Sequence, residues 1–313
     1  LFRDRYFVWN SIRTGIISFF RKVIYTKNLF TIFENEHFFA DIINGLIFKG
    51  EQRVKPEELS NGNVHSKYKA DDGKLHELER DATKHWKRGI VEFSVLGLEN
   101  QTVVDNFMPF RIFSYDGNGY RSQLLQERPV MVPVVTIVLY FGTEHHWNAK
   151  KNLLAHMNVP EGLEEYVNDF KIHVFEIAWL SAEEVSRFES DFKVVANFFV
   201  KKRIDPNYDG RDETEIKHVD AVLKLLSAMT GDARYANLLT NPNAKKGVHN
   251  MCDVAERLEN KGRAEGRTEG RTEERMANIR NMLADHVPHD KIKQYTHATD
   301  AEIAEAEEEM LVK

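Results

Sequence analysis

Two long apolar runs constrain the fold of this chain more than any other feature of its sequence. Residues 130–141 read VMVPVVTIVLYF, and residues 170–179 read FKIHVFEIAW. The first run is nearly unbroken and rich in β-branched residues, which suits a strand that is buried on both faces, and the second run is interpreted as another buried strand. Because such a sheet must be covered by helices, the sequence predicts an α/β or α+β fold with one mixed sheet flanked by helices.

Segments with helical spacing alternate with these runs. Apolar residues recur on one helical face over 37–48, and Ser181 begins a capping box for a helix that runs to about Lys202. Residues 105–126 also have a helical pattern, although a proline and two glycines interrupt it. Residues 77–86 and the following strand formers up to residue 101 flank a turn with the sequence KRG, which predicts a β-hairpin.

Three polar side chains of this hairpin form a candidate active site. A turn centred near residue 89 puts Asp81 opposite Gly97 and diagonal to Glu99, with Cβ atoms about 7 Å apart. Glu99 and Gln101 share one face because side chains alternate along a strand. One divalent cation fits between the two carboxylates, and phosphodiester hydrolysis uses such an ion together with an activated water. The spacing alone is common among proteins, so it leaves the nuclease hypothesis open.

Composition and charge exclude few classes of protein. The formal charge is −6, whereas tight nonspecific binding of nucleic acid usually accompanies a basic excess. Cys252 is the single cysteine, so an intrachain disulfide is excluded and a cytoplasmic location is expected. Residues 1–33 are aromatic-rich and basic, and their longest apolar run is too short to span a bilayer. They are interpreted as a misread start or an accessory segment, or else as an amphipathic surface-seeking helix, and no membrane partner is expected.

The chain after Pro206 is helical in pattern. Residues 261–275 repeat every four positions, so glycines, arginines and glutamates form separate stripes on a helix. The segment is either a solvated linker or a helix that pairs its Arg stripe with the Glu stripe of a second copy. Residues 276–284 and 300–310 form a last, acidic helical pair.

The hairpin and the segments after it resemble the Rpn family of recombination-promoting nucleases and transposase-like proteins, which belongs to the PD-(D/E)XK nuclease superfamily. The resemblance covers about residues 34–275, and its most specific part is Glu-Asn-Gln at 99–101 followed by Met-Pro-x-Arg at 108–111. Further similar stretches lie at 115–116, 120–123, 133–142, 166–172, 218–223 and 230–235, and in the Glu-Gly-Arg repeats.

The resemblance implies DNA cleavage that depends on Mg²⁺ or Mn²⁺, with Asp81 and Glu99 as metal ligands. Such folds often add an acidic residue from the first helix, which makes Asp41 a further candidate ligand. Gln101 stands where many superfamily members carry Lys. Its amide can orient a water molecule but cannot supply a positive charge, and Lys84 or Arg111 is the candidate source of that charge.

Side chains elsewhere supply weaker candidates. Arg111 can pair with a phosphate, and Tyr120 and Gln123 share a helical face from which they can contact DNA. The alternative for all three is packing of their helix over the sheet. The pair His145-His146 is rejected as a zinc site, because adjacent loop histidines rarely converge on one ion.

Four segments and two functions follow. The segments are an atypical N-terminal part (1–33), a restriction-endonuclease-like core (34–205), a helical subdomain (206–258) and a charged, low-complexity helical tail (259–313). The preferred function is a DNA endonuclease in recombination, with self-association through the C-terminal helix. The alternative is a weak or inactive nuclease-fold protein that binds DNA or a protein partner, and an RNA-directed nuclease would use the same chemistry.

Overall fold

The structure is a computed structural model. It describes residues 35–62, 65–69, 75–79, 82–86, 91–98, 105–240 and 246–311. Asp81, Glu99 and Gln101 lie outside these residues, as do residues 1–33. The chain divides into two compact units, Leu1–Asp253 and Val254–Lys313.

A mixed sheet forms the centre of the first unit. Its five strands lie in the order β1 (Leu59–Asn61), β4 (Ala82–Trp86), β5 (Val91–Leu98), β6 (Val134–Tyr140) and β7 (His173–Glu176). The pairs β1/β4 and β4/β5 are antiparallel, whereas β5/β6 and β6/β7 are parallel. Strands β2 (His65–Lys69) and β3 (Leu75–Glu79) pair with each other in a separate sheet. The predicted mixed sheet is therefore confirmed, but residues 77–79 belong to β3 and do not extend β4.

The register of the β4/β5 hairpin differs from the expected one by a single residue. Ala82 pairs with Val95, whereas a turn centred at residue 89 would pair Ala82 with Leu96. The first pair is Trp86 with Val91, so four residues connect the strands and not the predicted three. A shift of one residue exchanges the faces of a strand relative to its partner, so the expected turn centre at residue 89 is wrong for the described pairs. The diagonal placement of Asp81 and Glu99, which lie outside the described residues, stays a prediction.

Nine helices lie within the described residues. They are α1 (Glu36–Leu46), α2 (Met108–Leu124), α3 (Ala182–Ser186), α4 (Phe192–Ile204), α5 (Val219–Thr230), α6 (Ala233–Thr240), α7 (Met251–Ala284), α8 (His289–Thr296) and α9 (Asp300–Leu311). No described helix combines the length and the apolar composition that crossing a membrane requires.

Helix α2 lies between β5 and β6 in the chain, and it is a single continuous helix although a proline and two glycines lie within it. Helix α2 begins at Met108, and Pro109 lies in its first turn, where a missing N–H costs nothing, so the proline does not break the helix. The first half of α2 packs on the second half of β6, where Met108, Ile112 and Tyr115 share a core cluster with Val138. This packing fixes α2 over the sheet.

The helix predicted from Ser181 to Lys202 is two helices. Ser181 forms the predicted capping box, but α3 ends at Ser186 and α4 begins at Phe192. Between them, the backbone N–H groups of Glu189 and Ser190 donate to the Asp41 carboxylate at 2.8 and 2.9 Å. Backbone donors that bond to a side chain of another helix are withdrawn from the i−4 ladder, which explains the break.

The second unit has a small core of its own. Its buried residues are Ile279, Ile292, Ala298, Ile303 and Ala306, contributed by α7, α8, α9 and the turn before α9. The predicted helix over 261–275 is confirmed as part of α7, and every side chain from 259 to 274 is exposed. Helix α8 was not predicted.

Candidate active site

The described strands reach both candidate metal ligands at one edge of the sheet. Strand β4 begins directly after Asp81, and β5 ends directly before Glu99. Because β4 and β5 are antiparallel, the start of one and the end of the other lie at the same edge. The parallel strands β6 and β7 also end there, since Leu98 pairs with Tyr140 and Tyr140 pairs with Glu176. We name this the carboxyl edge.

The loop after β6 folds tightly over Tyr140. The Tyr140 hydroxyl donates to the backbone carbonyl of His145 at 3.1 Å. A Cβ atom at Gly142 would collide with that hydroxyl, so only glycine permits this close approach. Burial raises the pKa of Tyr140, and the carboxylates of Glu176 and Glu144 raise it further, which keeps the hydroxyl neutral and donating.

Glu176, the last residue of β7, organises the polar groups of this loop. Its Oε2 lies 2.7 Å from Nδ1 of His146 and accepts the backbone N–H of Trp147 at 3.1 Å. Its Oε1 lies 3.8 Å from the ammonium of Lys151. Glu176 was not among the site residues predicted from the sequence. The available signal was a charged residue inside the apolar run 170–179.

Next to Glu176, two rings and a guanidinium are stacked. His146 stacks on Trp179 with ring centroids 3.6 Å apart and an angle of 29° between the rings. The guanidinium of Arg203 lies 4.6 Å from the centre of the Trp179 ring. Trp179 donates its Nε1–H to the Gly142 carbonyl at 3.0 Å, and Arg203 donates Nε–H to the Ala178 carbonyl at 2.8 Å. The stack of His146, Trp179 and Arg203 therefore connects the loop after β6 to α4.

Arg111 lies in the first turns of α2, the half that packs near Tyr140. Its guanidinium forms an ion pair with Asp105 at 2.7 Å and donates to the Tyr115 hydroxyl at 3.3 Å. Burial lowers the pKa of Arg111, but Tyr115 and Asp105 outweigh burial and raise the pKa above its ordinary value. Arg111 is therefore a permanent cation whose charge is partly neutralised.

Tyr120 and Gln123 lie at the other end of α2. The Tyr120 hydroxyl accepts the backbone N–H of Val134 at 3.2 Å, and Gln123 Oε1 accepts that of Val132 at 2.8 Å. Val134 is the first residue of β6, so both side chains lie at the edge opposite the carboxyl edge. At a rise of about 1.5 Å per residue, Tyr120 is roughly 14 Å along the axis from Arg111. The structure does not bring these three residues together.

Two acids on α1 have different surroundings. Asp41 is buried, and besides the two backbone donors its carboxylate accepts the Ser190 hydroxyl at 2.6 Å. Glu36 reaches the sheet, where its carboxylate lies 2.8 Å from the ammonium of Lys84 on β4. The same ammonium also donates to Asn61 of β1. This pair was not predicted from the sequence.

No group of three His, Cys, Asp or Glu side chains in the described parts of the chain is arranged to hold a metal ion. The predicted ligands Asp81 and Glu99 lie outside those parts, so the predicted metal site stays a prediction.

Comparison with known proteins supports the resemblance. Residues 87–230 match the model of the family described as "Putative transposase, YhgA-like". The matched range contains Glu99 and Gln101, whereas Asp81 precedes it. No curated protein and no solved structure matches the chain. The region that contains β5, β6, β7 and helices α2 to α5 is therefore similar to the YhgA-like transposase family.

Proposed function

We propose that this protein is a metal-dependent DNA endonuclease whose active site lies at the carboxyl edge, on a restriction-endonuclease-like core. The observation that carries the proposal is the pairing of β4 with β5. One strand begins after Asp81 and the other ends before Glu99, at the same edge. The match to a transposase-like family supports DNA as the substrate class.

The donor chemistry of these residues fits Mg²⁺ or Mn²⁺, which prefer carboxylate oxygens. Asp81 and Glu99 are the proposed ligands, and Gln101 holds the attacking water by hydrogen bonding. The ion, when bound, supplies a water of lowered pKa and shields the attacked phosphate. Asp41 is the least favoured of the proposed ligands, because both of its oxygens already accept hydrogen bonds from residues 189 and 190.

Among the proposed DNA contacts, Arg111 is favoured by its position in the first turns of α2. Tyr120 keeps a hydroxyl proton to offer a phosphate, since its oxygen acts as the acceptor for Val134. Gln123 is only 5% exposed, so its bond to Val132 is the better explanation of its side chain.

A second candidate is a weak or inactive nuclease-fold protein that binds DNA or a protein partner. It is favoured by the ion pairs of Lys84 and Arg111, the two candidate replacements for the superfamily lysine. Lys84 is paired with Glu36, and Arg111 is paired with Asp105. Neither carries an uncompensated charge for the phosphate.

Incubation of supercoiled plasmid DNA with Mg²⁺ tests the two candidates. The parent protein should nick the plasmid, whereas Asp81→Ala and Glu99→Gln should not. Glu165→Gln is the matched control, because Glu165 is exposed and makes no contact among the described residues. Gln101→Lys should keep or raise the rate. Equal nicking by the parent and Glu99→Gln, or none by the parent and Gln101→Lys, would favour the second candidate.

We also propose that α7 pairs with α7 of a second copy. Arg267, Arg271, Glu269 and Glu273 have no ion-pair partner within the described residues, and a Cβ at Gly262, Gly266 or Gly270 would meet nothing within 4 Å. Members of each stripe advance only about 40° around the helix per four residues, which leaves the arginines on one side of the glycines and the glutamates on the other.

This arrangement of charges selects the orientation of the pair. In a parallel two-fold pair that meets at the glycines, the Arg side of each helix faces the Glu side of its partner. In an antiparallel pair, Arg faces Arg and Glu faces Glu. Charge complementarity therefore favours the parallel pair.

A further inference from the structure

We infer that His146 is a stacking platform for an unpaired base of the nucleic-acid strand that lies along the carboxyl edge. The inference rests on the proposed function for its substrate class, and it assigns a binding role to a residue outside the proposed metal site.

His146 is fixed in position and yet exposed. Its Nδ1 lies 2.7 Å from the Glu176 carboxylate, and one face of its ring lies on Trp179 at 3.6 Å between centroids. Despite both contacts, 65% of its side chain is accessible to solvent. With one face against Trp179, the accessible surface includes the opposite face, which is the geometry that base stacking needs.

The support beneath His146 is itself held. Trp179 is bonded to the Gly142 carbonyl through Nε1, and the Arg203 guanidinium lies over its ring. Arg203 is bonded in turn to the Ala178 carbonyl. A ring that is ordered before binding loses little conformational freedom when a base stacks on it, so more of the stacking energy is retained as affinity.

The location matches the proposed active site. His146 is hydrogen-bonded to Glu176 at the end of β7. Glu176 pairs with Tyr140 of β6, and Tyr140 pairs with Leu98, the last residue of β5. Two strand spacings of about 4.8 Å separate β7 from β5, so the end of β7, to which the platform is hydrogen-bonded, is on the order of 10 Å from the end of β5. That is the length of a few nucleotides of one strand.

Two cations lie close to the platform. Arg203 lies on the Trp179 ring, and Lys151 lies 3.8 Å from Glu176, so they balance the carboxylates of Glu176 and Glu144 next to a nucleic-acid backbone. A base inside a duplex has both faces covered by its neighbours. The platform therefore takes a base that is unpaired and unstacked, as in single-stranded DNA or a flipped nucleotide.

Binding of a fluorescent oligothymidylate of about twelve nucleotides, in EDTA so that no cleavage occurs, tests the inference by anisotropy. His146→Ala should weaken binding about 5- to 100-fold, the range expected for loss of one stacked base. His146→Phe should retain most of the affinity because it keeps an aromatic face. His145→Ala is the matched control, since His145 is the exposed neighbour whose side chain makes no contact in the described structure.

An oligonucleotide of abasic sugars separates stacking from charge. The parent and His146→Ala should bind it equally, because it has no base to stack. Equal weakening on both oligonucleotides, unchanged affinity of His146→Ala for the oligothymidylate, or failure of the parent to bind it would overturn the inference. These measurements contain no metal. Loss of plasmid nicking with stacking intact therefore counts against the nuclease proposal alone.

Discussion

The ammonium of Lys84 lies 2.8 Å from the carboxylate of Glu36 and connects the middle of β4 to the start of α1. The Lys84 side chain is 1% exposed, whereas that of Glu36 is 42% exposed. Burial alone raises the pKa of Glu36, but the hydrogen bond and the charge of Lys84 lower it below its ordinary value. The carboxylate therefore stays ionised next to a cation that has almost no access to water.

Removing the carboxylate should destabilise the fold more than removing both charges. Glu36→Gln removes the carboxylate that lies 2.8 Å from a buried ammonium, and we expect a loss of about 1–2 kcal/mol in the free energy of unfolding, discounted because Glu36 is partly exposed. Glu36→Gln combined with Lys84→Met should recover part of that loss, because Met fills a similar volume without charge. Urea unfolding measures both proteins. A double variant that is less stable than Glu36→Gln would contradict this account.

Asp41 should act as a structural acid whether or not it binds metal. The buried carboxylate of Asp41 accepts three hydrogen bonds from Glu189 and Ser190, so Asp41→Ala leaves three partly buried donors without their acceptor. We expect a loss of about 2–4 kcal/mol in metal-free urea unfolding. A loss below about 0.5 kcal/mol, the size typical of surface substitutions, would show that these bonds contribute little.

A pH dependence is expected from the Lys201–Asp212 ion pair, whose charged atoms are 3.1 Å apart. Burial raises the pKa of Asp212, but bonds from Thr214 and Lys201 outweigh burial and lower it. Because the pKa is lower in the folded state, the stabilisation is present above the unfolded pKa of about 3.9 and is lost as pH falls through the folded pKa.

Asp212→Asn should therefore be less stable than the parent at neutral pH, and the difference should shrink below about pH 4. Asp205→Asn is a suitable control, since Asp205 is exposed and bonds only within its own turn. Urea unfolding between acidic and neutral pH measures the difference. A gap that stays constant down to the acid transition would refute the assignment.

Local signals in the sequence predicted much of the fold. The capping box at Ser181, the stop at Gly231 with its positive φ of 72°, and the buried strand β6 are each fixed by a few neighbouring residues. Strand β7 was also predicted, but its predicted burial is wrong, because His173 is exposed and the other residues of β7 are only half-buried. The break before α4 depends on Asp41, which lies about 150 residues away from it in the chain. No local pattern could reveal that contact.

The candidate site was predictable only in outline. The predicted hairpin brings the start of β4 and the end of β5 to one edge of the sheet, whereas the placement of Asp81, Glu99 and Gln101 there stays a prediction. The hairpin register was missed because a turn of four residues and a turn of three read alike in sequence. The His146–Trp179 stack was missed because its members come from segments that only the sheet order brings together.

Metal binding should be visible in thermal unfolding. Two close carboxylates repel each other unless a cation neutralises them, so Mg²⁺ should raise the melting temperature of the parent by mass action. Glu99→Gln keeps the shape of the side chain and removes its charge, and should abolish the shift. Glu165→Gln should keep it. Identical shifts in the parent and Glu99→Gln would mean that the ion binds elsewhere.

Self-association should depend on the second unit. Deletion of all residues after Leu258 removes most of α7 together with the C-terminal core, and should leave a folded monomer by light scattering. Unchanged oligomeric mass would refute a role for α7. Reversing the arginines alone (Arg267→Glu with Arg271→Glu) should also give monomers, because both sides of the glycine stripe are then acidic. Mixing with the opposite reversal (Glu269→Arg with Glu273→Arg) should restore pairs.

Cross-linking determines the orientation of the pair. In a parallel, in-register pair each residue lies beside its own copy, so Gly262→Cys and Gly270→Cys should each form a disulfide-linked dimer under mild oxidation. An antiparallel pair has one central position, and at most one of the two variants can cross-link to itself. Both are placed in a Cys252→Ala background, since Cys252 is the single native cysteine. Space for the new side chains is available, because a Cβ at either glycine meets nothing in the described structure. Two results would exclude the parallel arrangement that the charge stripes favour. In the first, only one of the two variants forms a cross-linked dimer. In the second, neither variant cross-links alone, but a mixture of the two does.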